Sequence, residues 1–108
     1  MSAAAVVAAG ARFEGLLSFR GEARVDGELV GRVRARGRLI VGVEGRVAGE
    51  IEVDELVVEG RLEGPVRARE RVVLEAGCEV VGDLRSPRFA IADGCRLEGH
   101  CTTENARI

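Results

Sequence analysis

The sequence predicts an all-β fold, a right-handed parallel β-helix of about six turns with roughly 17 residues per turn. Three observations predict it. Glycines recur at Gly15, Gly31, Gly49, Gly64, Gly82 and Gly99, spaced 16, 18, 15, 18 and 17 apart. Each has an apolar residue two places before it (Phe13, Leu29, Val47, Leu62, Val80, Leu97), two places after it (Leu17, Val33, Ile51, Val66, Leu84, Cys101) and eight places before it (Val7, Ala23, Val41, Leu56, Leu74, Ile91). Between the glycines apolar and polar residues alternate over short runs, the pattern of half-buried strands; no window sustains a helical period. Finally, the 108 residues are 46% hydrophobic yet hold only three phenylalanines and no tryptophan or tyrosine. A wide core would use aromatics, whereas a narrow core of Val, Leu, Ile and Ala does not need them.

A repeat of this length cannot bury its apolar face alone, but stacked copies can. Equivalent strands of successive turns then pair as parallel ladders about 4.8 Å apart, giving a rod on the order of 30 Å long. The gaps between inward columns within a turn are six, four and a remainder that varies between five and eight. That uneven triangle favours a right-handed helix over a left-handed hexapeptide solenoid, whose inward residues recur every six positions.

Taken in order, residues 1–15 make the least regular turn, with Val7 and Phe13 inward. Residues 16–31 alternate around Leu17, Phe19, Ala23, Val25 and Leu29. Residues 32–49 alternate most clearly, with Val33, Ala35, Leu39, Val41, Val43 and Val47 on one face. Residues 50–64 form the shortest turn, with Ile51, Val53, Leu56, Val58 and Leu62 inward, and residues 65–82 follow with Val66, Ala68, Val72, Leu74 and Val80. Pro65 has no amide N–H to donate, so it belongs at a corner or an opening. Residues 83–99 carry Leu84, Phe89, Ile91 and Leu97, with turns at Ser86-Pro87 and Asp93-Gly94. The central core columns are therefore Val41, Val47, Ile51, Leu56, Leu62, Val66, Leu74, Val80 and Leu84.

All 16 basic residues are arginines, set against 18 acidic ones for a formal charge of −2, and the signs are mixed along the chain. That weighs against nucleic acid as a partner, which calls for a basic face. Cys78, Cys95 and Cys101 are odd in number, and the apolar lead-in has no basic n-region, so the thiols are expected to be reduced and the protein cytoplasmic.

Segments such as Ala23-Arg24-Val25-Asp26-Gly27-Glu28-Leu29-Val30-Gly31, Arg46-Val47-Ala48-Gly49-Glu50-Ile51 and Val80-Val81-Gly82-Asp83-Leu84 resemble the repeats of the bactofilins. The similarity covers residues 6–101, leaving a lead-in at 1–5 and a tail at 102–108. It implies a bacterial cytoskeletal protein that polymerises end to end into nonpolar filaments without nucleotide or other cofactor. It further implies action as a scaffold for cell shape or protein localisation, with cell-wall or client proteins as partners. Many members carry an N-terminal membrane-targeting tail, which makes an anionic membrane surface a further partner and the inner face of the cell membrane a further location. This chain has almost no such tail.

Both ends of a solenoid expose unpaired backbone and the end of an apolar stack, a template for another copy. Val7, Phe13 and Leu17 in the first turn and Phe89, Ile91 and Leu97 in the last are the expected contact residues. No catalytic, cofactor or metal residue is expected. Asp83, Asp93 and His100 have no paired nucleophile, and the cysteines lack C-x-x-C spacing. Cys78 and Cys95, each four before an anchor glycine, are expected to stack on adjacent turns as a reduced pair in a small core position. The run Arg32, Arg34, Arg36, Arg38 is expected to be a solvated face balanced by acids such as Glu50 and Glu52 on the next turn. Two other functions fit a solenoid: an acyltransferase of the hexapeptide type, and a binding module that does not polymerise.

Overall fold

The structure, a computed structural model, describes the backbone from Ala4 to Thr103 and the side chains from Val7 to His100. It holds eleven strands, all in one sheet and all paired in parallel. Strands β1 (Ala4–Val7), β2 (Arg12–Val25), β3 (Glu28–Val41) and β4 (Arg46–Val58) stack in sequence order, and β2 to β4 each run almost a full turn. Beyond them the turns break into shorter pieces: β5 (Arg61–Glu63), β6 (Val66–Leu74), β7 (Glu79–Val81), β8 (Leu84–Ser86), β9 (Phe89–Ile91), β10 (Arg96–Glu98) and β11 (Cys101–Thr103). Pro65 sits in the gap between β5 and β6, where its missing amide is not needed, while its carbonyl accepts from the Ile51 amide at 3.0 Å. The result is an elongated parallel β-solenoid, 42 × 28 × 24 Å.

The turn count is about five, not six. Complete turns start at Phe13, Leu29, Val47, Leu62 and Val80, and what precedes and follows them is partial. The anchor glycines number six because Gly99 belongs to the incomplete last turn. Each complete turn sends five residues inward, as in Val47, Ile51, Val53, Leu56 and Val58, all at most 2% exposed. The core is therefore five columns wide, filled almost wholly by Val, Leu, Ile and Ala.

The columns two before and two after the anchors are as expected: Phe13, Leu29 and Val47 lie in register, as do Leu17, Val33, Ile51, Val66 and Leu84. Cys101 pairs with Leu84 through its backbone, and its side chain lies outside the described residues. The column eight before the anchors is not one column. Ala23, Leu39, Leu56, Val72 and Phe89 form one ladder; Val25, Val41, Val58, Leu74 and Ile91 form its neighbour. The reason is the corner before each anchor. It has four residues at 8–11, 42–45, 75–78 and 92–95 but two at 26–27 and 59–60, so counting back eight lands on one ladder or the other. The longer corners close on themselves, as in Gly45 N–H donating to the Gly42 carbonyl at 2.9 Å.

The anchor glycines stack on one another. Gly49 has φ +132°, and a Cβ there would overlap the carbonyl oxygen of Gly31 directly across the ladder. The backbone is pressed here against the turn before, a close approach that a side chain would prevent. Ser86, expected in a turn, points inward and is the one buried polar side chain among the described residues. Its hydroxyl donates to the Arg88 carbonyl at 2.9 Å and lies 3.3 Å from the Arg88 amide, so burial leaves it satisfied.

Candidate assembly surfaces at the two ends of the solenoid

At the N-terminal end β1 covers only the Ala23–Val25 part of β2. The stretch of β2 from Arg12 to Gly21 pairs with β3 on one side and, among the described residues, with nothing on the other. Phe13, Leu17 and Phe19 are half-buried against the core, and Leu16 beside them is 61% exposed. Val7 is buried, its carbonyl accepting from the Asp26 amide at 2.7 Å.

At the C-terminal end the outermost strands are β9, β10 and β11, each paired with one strand only: β6, β7 and β8. The apolar columns run out here. Phe89 and Leu97 are half-buried, and Ile91 is 52% exposed although its column mates Val25, Val41, Val58 and Leu74 are fully buried. The structure thus brings Phe13 and Leu17 together at one end and Phe89, Ile91 and Leu97 at the other, while Val7, on the terminal strand β1 across from Val25, is buried. Leu16 and Phe19, absent from the expected contacts, belong to the N-terminal surface. Leu16 faces outward in the alternation and carried no inward signal; Phe19 occupies a column, two beyond Leu17, that the glycine anchors do not mark.

Near the C-terminal end Cys78 and Cys95 are the last residues of two consecutive four-residue corners, and their sulfurs lie 2.7 Å apart with both thiols free. Burial, then the contact with Cys95, pushes the Cys78 thiol from 9.0 up to about 12. Within the arginine run, Arg32 pairs with Glu50 at 3.1 Å, Arg34 with Glu52 at 3.5 Å, and Arg38 with Glu55 at 3.2 Å and Glu22 at 3.3 Å. Those three are balanced across turns as expected. Arg36 is not: no carboxylate within 4.0 Å pairs with it among the described residues. Asp83, Asp93 and His100 are exposed on separate turns or corners.

Among the described residues, both ends of the solenoid thus leave strand edges unpaired and apolar columns only partly covered. The family model for bactofilins, described as polymer-forming cytoskeletal, matches residues 5–102. The chain is a bactofilin. It is 30% identical to bactofilin BacO of Myxococcus xanthus over 76 residues, which make up 70% of this chain and 60% of BacO, so it spans about 60% of that relative's length. It also superposes on the cytoskeletal bactofilin BacA, whose atomic structure was determined by solid-state NMR, with a TM-score of 0.81 at 29% identity, covering 94% of each chain. This bactofilin therefore belongs to a cytoskeletal family, and its β-solenoid is the fold of BacA.

Proposed function

We propose that this bactofilin is a structural protein, not an enzyme, that self-assembles end to end into nonpolar filaments without nucleotide and scaffolds cell shape or protein localisation from the cytoplasm. The observation that carries the proposal is the pair of unfinished ends: strand edges that, among the described residues, have a free side, each beside half-buried Phe and Leu side chains, with the exposed Ile91 at the C-terminal one. Unpaired edges of this kind are templates for another copy unless something blunts them. Backbone groups and apolar side chains make the junction by themselves, so assembly calls on no bound nucleotide. A nonpolar filament needs two self-complementary junctions, one between N-terminal surfaces and one between C-terminal surfaces, each with its own two-fold axis.

Filament surfaces away from the ends are left to clients, cell-wall proteins among them. Attachment to the inner face of the membrane would be a property added to this scaffold; among the described residues no helix is long and apolar enough to cross a membrane.

The test is substitution at the C-terminal surface. Phe89→Arg, Ile91→Arg and Leu97→Arg each put a charge where the proposal buries an apolar side chain; burying one such side chain is worth about 1.5–3 kcal/mol. Electron microscopy and sedimentation should show short soluble species that keep the β-rich circular dichroism of the parent. Unchanged filaments for all three variants would sink the proposal.

A further inference from the structure

We propose that the cleft formed by Ser18, Arg20, Arg34, Arg36, Glu52 and Arg69 binds a phosphate-bearing anion. This cleft has a volume of about 630 Å³. Four arginines from three different turns converge on it in a chain whose formal charge is −2. The mixing of signs seen along the sequence is thus undone locally by the winding of the chain. Glu52 is the acid in the cleft, and it is divided between Arg34 at 3.5 Å and Arg69 at 3.7 Å. Arg69 is held further by Asp54 at 2.9 Å and by the Ala35 carbonyl at 3.4 Å.

Arg20 and Arg36 have no such partner within 4.0 Å among the described residues, and the β2–β3 register sets them directly opposite each other. Like charges facing across a ladder are destabilising. A guanidinium does not escape by losing its proton. Several ladder positions elsewhere on the solenoid set opposite charges face to face, as in Arg32 opposite Glu50 and Arg38 opposite Glu55; the register also sets Arg46 opposite Arg61 and Arg67 opposite Arg85, outside this cleft. An anion between Arg20 and Arg36 supplies the missing charge. Strands about 4.8 Å apart place two guanidinium forks side by side, and each fork offers the two parallel N–H donors that match phosphate oxygens. The Ser18 hydroxyl adds a neutral donor on the same face. Free phosphate esters and phospholipid headgroups share this chemistry. The proposal does not depend on filament formation.

The test uses two probes, inorganic pyrophosphate by titration calorimetry at fixed low ionic strength and vesicles of phosphatidylglycerol in phosphatidylcholine by co-sedimentation. The parent is compared with Arg20→Ala/Arg36→Ala and with Arg12→Ala/Arg96→Ala, a control of equal charge loss outside the cleft. The parent and control should bind alike, and the cleft variant should lose at least tenfold in affinity. Binding of pyrophosphate alone identifies a soluble phosphate ester, and binding of vesicles identifies a headgroup; either supports the site. Arg20→Lys/Arg36→Lys, which keeps the charge but removes the fork, should lose several-fold and serves if the alanine variant fails to fold. No binding of either probe, or equal losses in the cleft and control variants, would overturn the proposal.

Discussion

Replacing Gly49 by alanine tests whether the glycine column sets the close packing of turns. At φ +132° an alanine is in a region reserved for glycine, a strain of about 1–3 kcal/mol. Its Cβ would also overlap the Gly31 carbonyl oxygen, with the Gly31 carbonyl carbon 2.7 Å away. Because those atoms are ladder backbone and cannot rotate aside, the two turns must part, a cost comparable to overpacking a core at about 1–3 kcal/mol. The expected total is about 2–6 kcal/mol, a large share of the roughly 5–15 kcal/mol that holds a domain together. Gly77→Ala is the matched control: φ is +86° and nothing lies within 4 Å of the added carbon, so only the left-handed backbone term of about 1–2 kcal/mol applies. Urea unfolding at low protein concentration, followed by circular dichroism, should rank Gly49→Ala well below Gly77→Ala. Equal losses would refute the reasoning, since they would mean that the turns part at no cost.

Leu56→Ala, at a fully buried position in a central turn, should lose about 2–5 kcal/mol. Leu97→Ala, half-buried at the open end, should lose about 1 kcal/mol in the unassembled protein, and urea midpoints separate the two. The Cys78 thiol, pushed up to about 12, is favoured neutral in the fold. Its contribution is complete below pH 9.0 and is lost as pH rises from 9.0 toward 12, so Cys78→Ala should flatten the alkaline fall in stability and native Cys78 should resist alkylation at pH 8. Arg32→Ala breaks an exposed pair with Glu50 and should shift stability by about 0.2–1 kcal/mol, less in high salt.

The fold was legible because the anchor glycine and its flanking residues are a local unit. From Phe13 to Leu17, or Val47 to Ile51, the chain length is fixed, so two columns could be read without knowing the shape. The third column was blurred because it was counted across a corner, and corner length varies between two and four residues without altering the alternation on either side. The same corners explain why the expected cysteine pair forms: Cys78 and Cys95 meet because 75–78 and 92–95 are consecutive corners of equal length. Ser86 was missed because a serine before a proline reads as a turn, although the alternation from Leu84 points it inward. The arginine cleft was illegible for a different reason. Arg20, Arg36 and Arg69 are separated by 16 and 33 residues, and only the register of the turns shows that acids such as Glu50 and Glu52 reach their neighbours and not Arg20 and Arg36.

Register itself needs an explanation, because alternation alone does not supply one. A slip of one residue between turns would turn every core side chain outward, but a slip of two would leave inside and outside unchanged. Two devices forbid the longer slip. It would set a branched side chain such as Val47 or Ile51 where Gly49 now lies against Gly31, and a β-carbon does not fit there. It would also disrupt the cross-turn pairs Arg32–Glu50, Arg34–Glu52, Arg71–Glu55 and Arg96–Glu79; each is weak, but a slip misplaces them together. Neither device carries on past the ends. Gly15 has open space where an inner glycine meets the turn before it, and a junction between two N-terminal surfaces runs its strands antiparallel, so it cannot continue a parallel glycine stack. In the proposed nonpolar filament the junctions must therefore take their register from the shapes of Phe13, Leu17 and Phe19 at one end and Phe89, Ile91 and Leu97 at the other, and all three phenylalanines of this aromatic-poor chain stand among those six residues.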